Sequence, residues 1–160
     1  MRQTYLCNIA ECSFDRLIVL LRNPVDRAYS HWNHFNQNPE EATGPSWRIR
    51  AFERALQEAP SLLENGAYAP TVAAFLKYFD RCQVGIWVSE RVGLLGPHSY
   101  VEMFRHLGLN NRDIRPPTLR HARTYADSMC ATTRASLNAH FELHNEHLRD
   151  LLIDTIPEWS

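Results

Sequence analysis

The stretch DRLIVLLRNPVDRAYSHWNH, from Asp15 to His34, carries the strongest fold signal in this 160-residue sequence. It contains an unbroken apolar run of strand length, Leu17 to Leu21, which is typical of a parallel strand covered on both faces. The next three residues, Arg22 to Pro24, end the strand, because proline donates no hydrogen bond to a ladder. Proline suits the first position of a helix, and the asparagine before it is a good N-cap. The stretch therefore predicts a buried strand followed at once by a helix.

The predicted helix has an apolar stripe and a polar side when it is projected at about 100° per residue. Ser30 falls on the polar side, and Arg22 stands at the carboxyl end of the strand, where open α/β sheets collect their ligands. An arginine fork, a serine hydroxyl and the positive end of a helix dipole are the ingredients of a phosphate site. The alternative is an ordinary strand-to-helix turn with a solvated arginine and serine. The stripe, which we expect to pack on the sheet, consists of Val25, Ala28, Trp32 and Phe35.

The string LIVLLRNPVDRAYSHW resembles the 3′-phosphate-binding strand and helix of sulfotransferases that use 3′-phosphoadenosine 5′-phosphosulfate (PAPS). This family includes heparan sulfate sulfotransferases and many bacterial relatives. In it the arginine that ends the strand and the serine eight positions later hold the 3′-phosphate, and those positions are Arg22 and Ser30 here. The segment GAYAPTVAAFLKYFDRCQVGIWVSERV is similar to a second family pattern. The resemblance runs from about Phe14 to Trp159.

The resemblance implies an α/β fold over residues 14–160, with a partial P-loop-type parallel sheet flanked by helices, while residues 1–13 stay unassigned. It implies transfer of a sulfonyl group from PAPS, the co-substrate, to a hydroxyl or amine acceptor, which a saccharide could provide. Family members place their phosphosulfate-binding loop, with its lysine, before this portion. The only lysine here, Lys77, lies in a helical pattern, so we expect a truncated domain that is inactive alone. No catalytic residue is assigned, and we interpret His31 and His34 as polar-face residues.

Further residues are weaker candidates. A basic segment that follows Pro116 lies about where the family wraps its nucleotide, so Arg120 and Arg123 are candidates for phosphate or adenine contacts, with a solvated loop as the alternative. Tyr68 matches a family aromatic near the nucleotide or acceptor cleft, although an aromatic packed on the following helix is equally consistent. The patterns also predict helices at about 47–58, 70–78 and 131–153, a short helix that Gly108 closes, and a second strand at 84–88.

Composition limits the classes of partner. Seventeen basic and eighteen acidic residues give a formal charge of −1, which predicts no general affinity for nucleic acid or anionic membranes. No apolar stretch approaches the roughly 18 residues of a membrane span. Four cysteines without a CxxC pair favour reduced thiols, so we expect a cytoplasmic protein, or a Golgi-lumenal one if it derives from a eukaryotic carbohydrate sulfotransferase. The cysteines are Cys7, Cys12, Cys82 and Cys130.

Two other functions stay open at this point. The chain could be a non-catalytic remnant that binds a nucleotide bisphosphate, or a scaffold without ligand. Three histidines of the last predicted helix, His140, His144 and His147, have spacings that can bind zinc. His144 projects into the apolar stripe of that helix, which favours a core histidine and no metal. We also expect self-association, because an unpaired edge beside Leu17 to Leu21 would expose apolar surface.

Overall fold

The computed structural model describes residues 16–37, 51–110 and 128–159. These residues form two compact units, one made of residues 16–21 and 71–110 and the other of residues 22–37, 51–70 and 128–159. In chain order the elements are β1 Leu17–Leu21, α1 Pro24–Gln37, α2 Phe52–Glu58, α3 Ser61–Glu64, α4 Tyr68–Tyr78, β2 Val84–Val88, α5 Ser89–Leu95, α6 Pro97–His106, α7 Ala131–Leu152 and a closing 3₁₀ turn, Pro157–Trp159.

The two strands of the first unit are parallel, with Leu17 opposite Val84 and Leu21 opposite Val88. Both strands lie where the apolar runs predict them. The expected coverage of β1 on both faces is wrong, because Ile18 is 38% exposed and Leu20 is 56% exposed. Successive side chains of a strand point to opposite faces, so one face of β1 is exposed while the other carries the buried Leu21.

The side chains of His106 and Ser89 form hydrogen bonds at the two ends of this pair of parallel strands. At one end the Nε2 atom of His106 lies 3.0 Å from the Leu17 oxygen and 3.2 Å from the Gln83 oxygen. This nitrogen must carry a proton, because carbonyl oxygens only accept hydrogen bonds. At the other end the Ser89 hydroxyl donates a 2.8 Å hydrogen bond to the oxygen of Leu21. The carboxyl ends of the two strands are therefore side by side, as predicted.

Helix α1 of the second unit begins where the sequence places it. The Oδ1 atom of Asn23 accepts hydrogen bonds from the amides of Val25 at 2.9 Å and Asp26 at 3.3 Å. Pro24 occupies the first helical position, where its missing N–H costs nothing. The predicted asparagine cap is confirmed.

The apolar stripe of α1 has helical partners within its own unit, where it packs against helices α2 and α7. Its packing on the sheet stays a prediction. The buried face of α1 also differs from the predicted stripe, because Tyr29 and Asn33 are buried whereas Trp32 is only partly buried. The shared core of the three helices consists of Val25, Ala28, Tyr29, Phe52, Leu137 and Phe141.

The two cysteines among the described residues differ in their bonding. Cys82 is disulfide-bonded, so the expectation of reduced thiols is wrong for it. Cys130 is free and exposed.

None of the helices in the described part of the chain has the length and apolar character needed to cross a membrane.

Candidate nucleotide-phosphate site

Arg22 lies between the end of β1 and the cap of α1. Its side chain is exposed, and within the described residues its guanidinium forms no hydrogen bond or ion pair. Its main-chain oxygen accepts a 2.9 Å hydrogen bond from the Tyr68 hydroxyl. The guanidinium is therefore available to a ligand while the backbone that carries it is held.

Ser30 lies further along α1 and is half-buried, next to the buried Tyr29. The helix rises about 9 Å between Pro24 and Ser30 at about 1.5 Å per residue. A phosphate placed between the two residues could be reached by the long side chain of Arg22 from one side and by the serine hydroxyl from the other. Both residues belong to the second unit, so the structure keeps the predicted pair on one body.

A second arginine, Arg27, shares this side of α1. Its guanidinium donates a hydrogen bond to the main-chain oxygen of Leu62, and its Nε is buried without a partner among the described residues. Burial lowers the pKa of Arg27, and the charge of Arg22 adds to that effect, while Tyr68 opposes it by charge and by a hydrogen bond. Arg27 therefore lies within electrostatic range of both residues.

His31 follows Ser30 and is half-buried. Burial lowers the pKa of its imidazole, and the charges of Arg27 and His34 lower it further. Its ring packs edge-on against Phe35, with centroids 4.9 Å apart. His31 is thus partly covered by Phe35, and its position on the polar face stays a prediction.

The acidic residue of this region is compensated. Asp26, in the first turn of α1, forms a 2.7 Å ion pair with Arg134 of α7. The carboxylate therefore cancels little of the positive charge that Arg22 and Arg27 bring to the same helix. An anion that approaches α1 meets two guanidinium groups and the positive end of the helix dipole.

Tyr68 is the aromatic that holds the main chain at Arg22. Its ring lies 6.0 Å from the ring of the buried Trp159, measured between centroids. Just before it, Gly66 packs so closely that a Cβ there would lie 2.7 Å from Phe141 Cε1 and 3.0 Å from Pro24 Cβ. The absence of a side chain at this glycine lets the segment before α4 reach the start of α1.

The remaining candidates lie elsewhere or outside the described residues. Arg120 and Arg123 are not among those residues, so their predicted contacts stay predictions. Lys77 is exposed on α4, with its Nζ 5.9 Å from the centroid of the Tyr78 ring. In the described part of the chain no group of three or more His, Cys, Asp or Glu residues is placed to hold a metal ion.

A comparison with solved structures finds a protein of similar fold. The chain is similar to a sulfotransferase from Alicyclobacillus acidocaldarius, known from its crystal structure, with a TM-score of 0.67 and 26% sequence identity. The match covers 90% of this chain and 57% of that one. The chain has a partial sulfotransferase fold. The predicted α/β fold is confirmed. No protein-family model and no curated protein matches the sequence.

Within this sulfotransferase fold, two contributors to the site were missed or undervalued in the sequence. Arg27 precedes Ser30 by three residues and His31 by four, which is the spacing of neighbours on one helix face. That spacing is a local signal that could have identified Arg27. The hydrogen bond between Tyr68 and Arg22 joins residues 46 positions apart, and no local pattern predicts it.

Proposed function

We propose that this chain binds PAPS in the manner of a sulfotransferase, with Arg22 and Ser30 holding the 3′-phosphate. The observation that carries the proposal is the placement of Arg22 at the strand-to-helix turn and of Ser30 on the helix that follows it, in a chain similar over 90% of its length to a sulfotransferase. The chain spans 57% of that relative's length, so activity, co-substrate and acceptor are all part of the proposal.

The charges at this turn support an anionic ligand. The guanidinium of Arg22 can form a bidentate pair with a phosphate, and a hydrogen bond to a charged group contributes about 1.5–3 kcal/mol. Ser30 adds a hydroxyl donor. The burial of Arg27 keeps its positive charge in a setting where water screens it less than at the open surface.

The proposed reaction is in-line displacement at sulfur. The acceptor oxygen or nitrogen forms a bond to the sulfur, the bond from sulfur to the phosphate oxygen breaks, and adenosine 3′,5′-bisphosphate leaves as the acceptor loses its proton. Arg22 and Ser30 anchor the far end of the co-substrate in this scheme and contact none of the reacting atoms. The acceptor class, with a saccharide as one option, follows from no described residue.

Calorimetric titration tests the 3′-phosphate site. Adenosine 3′,5′-bisphosphate should bind about 10- to 100-fold more tightly than AMP, because the extra phosphate gains a charge-assisted bond. Arg22→Ala and Ser30→Ala should reduce that preference, and Arg54→Ala should not, since Arg54 pairs with Glu58 on the exposed side of α2. Equal affinities for the two nucleotides in the unmodified chain would refute the proposed site.

One observation favours binding without transfer by these 160 residues. Their only lysine, Lys77, is exposed on α4, and it cannot be assigned the role of the family's phosphosulfate-binding lysine. Removal of one pre-organised donor costs other enzymes about 10²–10³ in rate. We therefore propose that the isolated chain binds nucleotide and does not transfer sulfonate. Turnover of radiolabelled PAPS with sugar, phenol or peptide acceptors, lost in Arg22→Ala, would contradict this proposal.

Two further parts of the proposal have their own tests. Arg120 and Arg123 are proposed as additional nucleotide contacts, and Arg120→Glu and Arg123→Glu should then weaken binding of both adenosine nucleotides.

Self-association is proposed through the exposed apolar positions of β1, Ile18 and Leu20. Sedimentation velocity should show Leu20→Lys to be less associated than the unmodified chain, and equal sedimentation would contradict it. The cellular compartment stays a prediction.

A further inference from the structure

The hydroxyl of Tyr68 links two arginines of the proposed site. It donates a 2.9 Å hydrogen bond to the main-chain oxygen of Arg22. The guanidinium of Arg27 lies within electrostatic and hydrogen-bonding reach of the same hydroxyl, and Tyr68 there opposes the lowering of the Arg27 pKa that burial causes. A guanidinium donates and never accepts, whereas a phenol does both, so in a contact between the two Arg27 is the donor.

Arg27 and Tyr68 are both anchored. Arg27 donates a hydrogen bond to the main-chain oxygen of Leu62 in α3, so its guanidinium is held beside Tyr68, the first residue of α4. The tyrosine ring packs on the buried Trp159, and the close contact of Gly66 with Phe141 fixes the backbone just before it. The phenol oxygen is therefore held in place from three sides.

The acceptor of the Tyr68 hydrogen bond lies at a position that matters for the ligand. Arg22 is the residue between the strand and Asn23, the cap of α1. The long side chain of Arg22 extends from the main chain to which this carbonyl belongs. A hydrogen bond to the main-chain oxygen limits the movement of that main chain without any contact to the ligand.

We propose that Arg27 and Tyr68 are positioning residues that fix the main chain of Arg22, so that its guanidinium is pre-organised for the 3′-phosphate. The proposal rests on the function proposed above. Neither residue contacts the ligand in this scheme. Their effect is on the preference for a 3′-phosphorylated nucleotide, because only that phosphate meets Arg22.

The test compares four proteins: the unmodified chain, Tyr68→Phe, Arg27→Lys and the double variant. Tyr68→Phe keeps the ring on Trp159 and removes only the hydroxyl, and Arg27→Lys keeps the charge without the planar fork. The ratio of the AMP to the adenosine 3′,5′-bisphosphate dissociation constant should fall about 3- to 10-fold in each single variant, as expected for one lost hydrogen bond. The double variant should fall no further, because both residues act through one contact. Tyr78→Phe, on the exposed part of α4, is the matched control and should leave the ratio unchanged.

A second measurement needs no ligand. The ¹⁵N order parameter of the Arg22 amide should decrease in Tyr68→Phe relative to Tyr78→Phe, because the main chain has lost its restraint. An unchanged order parameter, or equal losses of affinity for both nucleotides, would overturn the positioning role. If the unmodified chain shows no preference between the nucleotides, the proposed function fails, and the order parameter still decides whether Tyr68 restrains Arg22.

Discussion

Arg134 of α7 and Asp26 of α1 form an ion pair of 2.7 Å between their Nη2 and Oδ1 atoms. Both side chains are partly exposed, and such pairs contribute only about 0–1 kcal/mol to stability. For anion binding, the effect of the ion pair on the local charge matters more than its effect on stability. The pair compensates the carboxylate in the first turn of the helix that carries Ser30.

Removal of this compensation should weaken anion binding. We expect Arg134→Ala to lower the affinity for adenosine 3′,5′-bisphosphate several-fold at low ionic strength, while Asp26→Asn raises it, because a carboxylate repels the incoming phosphate. Titrations at about 0.01 M and about 1 M salt should differ, since the Debye length falls from about 30 Å to about 3 Å. Equal affinities for Arg134→Ala and the unmodified chain at low salt would contradict the prediction.

Gly66 should not tolerate even a methyl group. A Cβ there would lie 2.7 and 2.8 Å from two ring carbons of Phe141, which is fully buried and cannot move aside. We expect Gly66→Ala to lower the free energy of unfolding by about 1–3 kcal/mol, the usual cost of overpacking a core. Chemical denaturation monitored by circular dichroism measures this change.

Gly93 provides the matched control for that substitution. It lies within α5, and a Cβ added there would meet no atom within 4 Å. Gly93→Ala should therefore stabilise by about 0.5–1 kcal/mol through helix propensity alone. A Gly66→Ala protein as stable as Gly93→Ala would show that the segment before Tyr68 adapts, and it would weaken the argument for a fixed tyrosine.

The sequence was informative where the signal is local. The apolar run from Leu17 to Leu21 and the Asn-Pro pair after it determine a strand end and a helix cap, and both are found as predicted. The helical partners of α1 were not predicted, for a physical reason. The stripe shows which face is buried but does not identify its partner, because Phe52 and Phe141 bury the same kind of surface as a strand would.

The candidate site likewise contains some residues that a local sequence signal predicts and others that it does not. Arg22 and Ser30 were predicted together because one short motif contains both residues. The support for Arg22 comes from Tyr68, 46 positions away, and depends on the contact of Gly66 with Phe141, a residue on the last helix. Contacts of this kind arise from tertiary packing, so neither periodicity nor residue type reveals them in a single sequence.

Two isoleucines near the end of the chain should respond oppositely to the same substitution. Ile153 has φ 55° and is 70% exposed, whereas Ile156 has φ 43° and is buried. The left-handed conformation costs a non-glycine residue about 1–2 kcal/mol. Ile153→Gly should therefore raise the melting temperature by a few degrees, since little burial is lost.

Ile156→Gly should lower the melting temperature despite the same backbone relief. Loss of a fully buried isoleucine costs about 2–5 kcal/mol, which exceeds the strain that is removed. Thermal melting followed by circular dichroism compares the two variants. A lower melting temperature for Ile153→Gly would mean that its exposed side chain makes contacts that matter to the fold.

His31 should make stability and anion binding depend on pH in opposite directions. Its pKa in the folded chain is lowered from about 6.5 by burial and then by the charges of Arg27 and His34. As pH falls below about 6.5 the unfolded chain takes up this proton first, so the folded state loses stability. A phosphate bound at Ser30, the residue before His31, would favour the imidazolium and raise the same pKa. Affinity for adenosine 3′,5′-bisphosphate should therefore increase as the pH is lowered through this range.

His31→Gln separates these effects from the other titrations of the chain. The variant should lose part of the stability decrease between about pH 7 and pH 5, and part of the gain in affinity, because glutamine cannot take up the proton. His140→Gln, on the exposed face of α7, is the control and should keep both slopes. Proton uptake on binding, read from calorimetry in two buffers of different ionisation enthalpy, should fall in His31→Gln alone. Equal uptake in all three proteins would show that the phosphate does not come close enough to α1 to be sensed by His31, and the site would then have to lie away from Ser30.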